Sequence, residues 1–232
     1  VKKDLEPWPA LKAGLALDAS LRLEPVTRLA HYSGMKRIIA LAAAFALVLA
    51  APALAAPAQT AVFAGGCFWS MQHDMEHIPG VVSTEVGYTG GHVAHPTYED
   101  VSSETTGHLE SIKITFDPAK ISYAALVQRY WHTIDPTDSG GAFCDRGASY
   151  HSAIFVNSPD QRRIAEASKA ALETGPLKGK IVTPIRDAVT FWPAEDYHQH
   201  YSDKNVFAYA AYRTGCGKDG VVKRIWGPLA LR

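Results

Sequence analysis

Three residues of this 232-residue chain, Cys67, Cys144 and Cys216, are the natural candidates for covalent chemistry. An odd number of thiols cannot close into a full set of bridges, so at least one is left to react. Cys67 is the strongest candidate. It follows an apolar run and Gly65-Gly66, and it stands where a helix should open. The partial positive charge and free N–H groups of a helix N-terminus favour thiolate over thiol, and the glycines let a substrate come close. The plainer alternative is a buried structural cysteine. Phe68, Met71, Met75 and Ile78 fall on one helical stripe, while Trp69 lies off it by about 100°. An aromatic in that place can wall an apolar substrate pocket. Cys216, between Gly215 and Gly217, has the mobility that a resolving thiol needs to reach a sulfenic acid on Cys67. Cys144, in Phe143-Cys144-Asp145-Arg146-Gly147, competes for that role. A fixed disulfide in a secreted binding domain would also use these cysteines.

Two other chemistries need weighing. His73-Asp74-Met75-Glu76-His77 matches the inverted zinc-peptidase pattern, with His73 and His77 one turn apart and able to share a metal. No further acidic ligand stands out downstream, and a solvated helix face opposite Met71 and Met75 explains the same residues. A cysteine hydrolase would pair Cys67 with a distant histidine and would need no resolving thiol.

The elements that must position these groups follow from periodicity and turn residues. Residues 60–64 read as a short buried strand and 67–78 as a helix stopped by Pro79-Gly80. Residues 81–88 are strand-like and are followed by a long polar loop to about 107. Ile112, Ile114 and Phe116 alternate on a half-buried strand. Leu126, Val127, Tyr130 and Trp131 form the stripe of a second helix within 122–133, and 134–150 reads as loop. Residues 152–156 form a strand. Ser158-Pro159-Asp160-Gln161 starts a helix with a capping box, and 182–189 is a further strand. The tail from Tyr201 shows little periodicity. The expectation is a single α+β domain: a mixed sheet with helices packed on it in two layers, a ferredoxin-like core, and a long irregular C-terminal tail.

Gly66-Cys67-Phe68-Trp69 resembles the signature of the peptide methionine sulfoxide reductase A family. The likeness continues through Gly87-Tyr88-Thr89-Gly90-Gly91, Pro96-Thr97-Tyr98, Thr106-Gly107-His108-Leu109-Glu110, Phe116-Asp117-Pro118, Asp145-Arg146-Gly147 with Tyr150, and 194–199. It spans roughly residues 60–217. The resemblance implies thiol-dependent reduction of methionine S-sulfoxide, free or in proteins, through a sulfenic acid and an intramolecular disulfide. By position it makes Cys67 the nucleophile and Phe68 and Trp69 the methyl pocket. Glu110 becomes the acid on the sulfoxide oxygen, Tyr98 and Tyr150 hydroxyls on the same oxygen, and Asp145 a supporting acid. It implies no metal, flavin or nucleotide cofactor, a thioredoxin-like reductant as partner, and a monomer. Two departures stand out: Ser70 where the family usually has Gly after the Trp, and Cys144 where many members have Asn. The second puts an extra thiol near the pocket. Cys216 is expected to bridge to Cys67 first, with Cys144 a relay or a bystander.

Residues 35–55 read as a secretory signal peptide: Lys36 and Arg37, then an apolar run of 14 residues from Ile38 to Ala51, then a small-x-small site at 53–55. The run falls short of the roughly 20 residues of a transmembrane helix. Periplasmic or secreted localisation follows, with cleavage near Ala55. Residues 1–34 precede Met35 and read as an upstream extension outside the native start; 56–232 is the reductase domain. Lys+Arg and Asp+Glu are both 23, and no basic field points to nucleic acid.

Overall fold

The computed structural model describes residues 57–175, 177 and 181–230. The extension expected over 1–34 and the signal peptide expected over 35–55 lie outside these residues.

The first strand, β1 (Gln59–Ala64), leads through Gly65-Gly66 into α1 (Phe68–Met75), then β2 (Val81–Thr89) and a short α2 (Tyr98–Ser102). After β3 (Leu109–Phe116) and α3 (Tyr123–Trp131) comes a small hairpin, β4 (Gly141–Ala142) and β5 (Asp145–Arg146). Next are β6 (Ala153–Val156), α4 (Pro159–Thr174), β7 (Ile185–Asp187) and β8 (Trp192–Pro193). Three helices close the chain: α5 (Tyr201–Lys204), α6 (Val206–Cys216) and α7 (Lys218–Trp226). The main sheet runs β7-β6-β1-β3-β2-β8, with β7 parallel to β6 and the other pairs antiparallel. Its inner four strands and the helices α1 and α3 reproduce the expected βαββαβ ferredoxin-like plan.

Alternation places Phe63, Ile112, Ile114, Phe116 and Ile154 on one sheet face, where they meet Met71 and Met75 of α1 and Leu126, Val127 and Tyr130 of α3, all buried. Ser122 caps α3 by accepting the Ala125 N–H. Tyr130 donates from its hydroxyl to the Ala64 carbonyl at 2.7 Å, tying down the last residue of β1 just before the turn that carries Cys67. At the start of α4, Ser158 accepts the Gln161 N–H as expected, but the Gln161 side chain accepts from Asn157 N–H at 3.1 Å and donates to Thr60 O, so the box is not closed reciprocally.

Four expectations change. The tail is helical, not irregular, for a reason visible in its burial: α7 buries Lys218, Val222 and Trp226, four residues apart, while Val206 and Phe207 of α6 are exposed. A buried lysine and exposed apolar residues invert the pattern that periodicity relies on. The strand expected over 182–189 shrinks to Ile185–Asp187. The polar stretch before β3 holds α2, where Thr97 and Asp100 form a capping box, and the 134–150 loop holds β4, β5 and a 3-10 turn at Ala148–Tyr150.

Candidate active site

Cys67 is the residue before α1, and its carbonyl accepts the first helical bonds from Ser70 and Met71. Gly66 enters this turn at φ +93°, and a Cβ there would lie 2.7 Å from that of Ala142. The turn therefore needs glycine both for its backbone and to let the β4–β5 hairpin close over it.

Glu110 sits on β3 opposite Tyr88 of β2 and is buried. It accepts the Phe68 N–H, the first amide of α1, at 2.9 Å. Burial pushes its carboxyl up to about 8, against the lowering effect of that hydrogen bond, with the nearby Asp145 and Glu104 adding to the rise. Glu110 is thus mainly a neutral acid at pH 7, next to Cys67.

Cys67 itself is not the thiolate that its helix position alone suggests. Burial raises its thiol well above the ordinary range, Glu110 and Asp145 push the same way once they are ionised, and the hydrogen bonds of Tyr212 and the Trp69 N–H do not offset them. Of the helix-end amides, the Phe68 N–H is bonded to Glu110 and the Trp69 N–H reaches the Cys67 sulfur, which is too little to offset burial. At rest Cys67 is a buried, neutral, free thiol.

The other expected residues converge here. Phe68, Trp69, Tyr98 and Tyr150 pack in one cluster with Cys67, Tyr88 and Tyr212. The Trp69 indole donates to His198 Nδ1 at 3.0 Å and stacks on Tyr201 at 3.7 Å between ring centres. Tyr98 is set by its own N–H, which donates to Glu195 at 2.8 Å, and Tyr88 donates from its hydroxyl to the other oxygen of Glu195. Tyr150 ends the turn whose Ser149 N–H and hydroxyl both donate to Glu104. Burial, then the Glu110 charge, holds the Tyr150 phenol above its ordinary range.

Asp145 on β5 accepts from the Tyr212 hydroxyl at 2.6 Å, which leaves the phenol oxygen to accept from the Cys67 thiol. Tyr212 was not singled out from sequence, because the tail offered no pattern to place it. Glu195 and His198 fall in the 194–199 block that the resemblance used, yet no role followed from it. Cys144 and Cys216 are joined in a disulfide, Cys216 Sγ being 3.9 Å from Asp145 Oδ2. The bridge in the structure is 144–216, which leaves Cys67 free; which bridge forms first is a matter of order in time.

The metallopeptidase motif is not assembled. His73 packs its ring on Tyr209, His77 points to solvent, and Glu76 pairs with His200 at 2.8 Å.

The family profile described as peptide methionine sulfoxide reductase matches residues 59–229. The chain belongs to this family. It is 55% identical over 196 residues to peptide methionine sulfoxide reductase MsrA 2 of Caulobacter vibrioides, covering 83% of this chain and 100% of that one. Against MsrA of Bacillus subtilis the identity is 50% over 170 residues, covering 73% of this chain and 96% of that one. Among solved structures, methionine sulfoxide reductase A of Corynebacterium diphtheriae superposes with TM-score 0.57 at 31% identity, covering 64% of this chain and 76% of that one. The reduced form of Mxr1 from Saccharomyces cerevisiae gives 0.60 at 28% identity, covering 64% and 86%. The reductase is an oxidoreductase that converts methionine sulfoxide to methionine, and its site offers what that reaction asks: a thiol, a neutral carboxylic acid and an aromatic wall around them.

Proposed function

We propose that Cys67 attacks the sulfur of methionine S-sulfoxide while Glu110 gives a proton to the sulfoxide oxygen. The observation that carries this reading is the neutral carboxyl of Glu110, held by the Phe68 amide beside a free Cys67. A sulfoxide is a poor electrophile until its oxygen is protonated or hydrogen-bonded, and an acid with a raised pKa is suited to that task. Tyr98 and Tyr150 address the same oxygen, and Phe68 and Trp69 hold the S-methyl group. The Tyr212 phenol, bonded to Asp145, takes up the change in charge at sulfur.

The proton from Glu110 stays on the oxygen, the Cys67 thiol proton replaces it on Glu110, and the oxygen passes to Cys67 as a sulfenic acid while methionine leaves. The Cys216 thiol condenses with that sulfenic acid, forming a 67–216 disulfide and releasing water. Cys144 then attacks Cys216, which frees the Cys67 thiol and leaves a 144–216 disulfide. That last state has the bonding seen here, one free Cys67 and one bridge. A thioredoxin-like dithiol is the reductant, becoming a disulfide as it opens the bridge. Residues 35–55 support export to the periplasm, and the reductase domain, over 56–232, acts as a monomer.

Cys216→Ser is the deciding variant. With S-methionine sulfoxide it should form about one equivalent of methionine per enzyme, since sulfenic acid formation needs only Cys67. It should then stall with thioredoxin and run with dithiothreitol. R-methionine sulfoxide should remain untouched, and Cys67→Ser should give no burst. Normal thioredoxin turnover in Cys216→Ser would overturn the order of steps, and a burst in Cys67→Ser would overturn the reading itself.

A further inference from the structure

Outside the reacting groups, one buried cation touches all three of the chain segments that carry cysteines. Lys218, the first residue of α7, stands two residues after Cys216 and is 2% exposed. Its Nζ lies 2.8 Å from Asp74 Oδ2 and 5.3 Å over the ring of Phe143. Asp74 belongs to α1, the helix that Cys67 opens, and Phe143 is the neighbour of Cys144 in the β4–β5 turn. The other oxygen of Asp74 is 2.9 Å from Arg213 Nη1, on α6 one turn before Cys216. Two cations from either side of the Cys216 turn thus close on a single buried carboxylate of the Cys67 helix. The turn between them, Gly217, is left-handed at φ +68°, a hinge that backbone preference alone would not hold in one direction.

This cluster gives no proton or electron pair to the catalytic steps, although the Lys218 charge reaches Cys67 and Asp145. Burying an ammonium and a carboxylate carries a large desolvation cost, and apolar side chains of similar volume often serve stability as well or better. What charge adds is direction: the pair is satisfied only when α1 and the α6–α7 turn sit in one arrangement. The ring of Phe143 extends the same constraint to the Cys144 turn.

We propose that Lys218 is a positioning residue for the thiol relay, holding the Cys216 and Cys144 turns against the Cys67 helix through Asp74 and Phe143. The inference rests on the reading that Cys216 and Cys144 serve Cys67 in turn. One equivalent of sulfoxide is reduced by Cys67 and its acid without the relay, so the amplitude of the burst does not depend on Lys218. Its effect falls on the steps in which one sulfur must reach another, where misplacement by about an ångström costs on the order of a hundredfold.

The test uses the full chain carrying Lys218→Met, which keeps the stem and removes the charge. Three readouts are taken: the methionine burst, steady turnover with dithiothreitol against thioredoxin, and dimedone labelling of Cys67 after one equivalent of substrate. Dithiothreitol regenerates Cys67 without the relay. We expect a full burst, dithiothreitol turnover within about threefold of the parent, thioredoxin turnover lower by about 10- to 100-fold, and a dimedone adduct on Cys67 that the parent does not show. Asp74→Asn should give the same split, and it decides the matter if Lys218→Met does not fold. Equal loss with both reductants and no adduct, in whichever variant folds, would overturn the proposal. Cys216→Ser is measured alongside. If it turns over normally with thioredoxin, the relay reading has failed rather than the role of Lys218 within it.

Discussion

Replacing Glu110 by Gln keeps the shape and an oxygen for the Phe68 N–H, but removes the ionisation. The size of the consequence follows from the carboxyl pKa of about 8 in the folded chain against an ordinary 4.5. Below pH 4.5 the group is protonated whether folded or unfolded and adds nothing to the pH dependence. Between 4.5 and 8 the folded state holds the proton and the unfolded state does not, so the native protein loses stability as pH rises, by about 1.4 kcal/mol per unit. Above 8 both states are ionised and the penalty is constant, at about 5 kcal/mol. Glu110→Gln escapes this penalty. Relative to the parent it should gain nothing at pH 4, about 3 kcal/mol at pH 7 and about 5 kcal/mol at pH 9. Urea unfolding of the disulfide-intact proteins at these three values measures the difference. Activity moves the other way: without a proton to give, the methionine burst should slow by about 10² to 10⁴. A stability difference that stays flat with pH would refute the assignment of Glu110 as a neutral acid. A normal burst rate would move the proton donor to Tyr98 or Tyr150.

Tyr212→Phe removes the phenol between Asp145 and Cys67, and the burst should slow by about 10- to 100-fold, the worth of a hydrogen bond to a charged group, as stopped-flow kinetics would read. An unchanged burst would confine Asp145 to structure. Trp69→Ala should raise KM for methionine sulfoxide by at least about tenfold, since it removes the wall that His198 and Tyr201 hold in place; an unchanged KM would place the methyl group elsewhere. Dialysis against a chelator should leave the reduction rate intact, and a loss restored by zinc would reopen the metal reading of Glu76 and its histidines.

The βαββαβ frame was legible because its apolar residues recur where strands and helices need them: Phe63, Ile112 and Ile114 at one spacing, Met71, Met75, Leu126 and Tyr130 at the other. The tail was not, because Lys218 is buried and Phe207 is 92% exposed, so hydropathy points the wrong way at both positions. Cys67 and Glu110 were legible from motif order, and the fold brings them together with Tyr98, Tyr150 and Asp145. Their ionisation was not. A helix N-terminus argues for a thiolate in isolation, but here burial outweighs it, and Glu110, 43 residues along the chain, takes the first of the helix-end amides. Tyr212 escaped for the same reason as the tail.

The 144–216 bridge has one more consequence, for the lifetime of the enzyme. It spans 72 residues, and closing a loop of that length restricts the unfolded chain by about 4 kcal/mol in chain-entropy terms. On the relay proposed above, the bridge forms each time a sulfoxide has been reduced and opens each time the reductant arrives. When oxidant runs ahead of the supply of electrons, the population drifts towards the cross-linked form, which resists heat and proteases better than the dithiol form. An enzyme working by that relay is most durable while it waits, idle and oxidised, and most fragile once it is recharged for the next turnover.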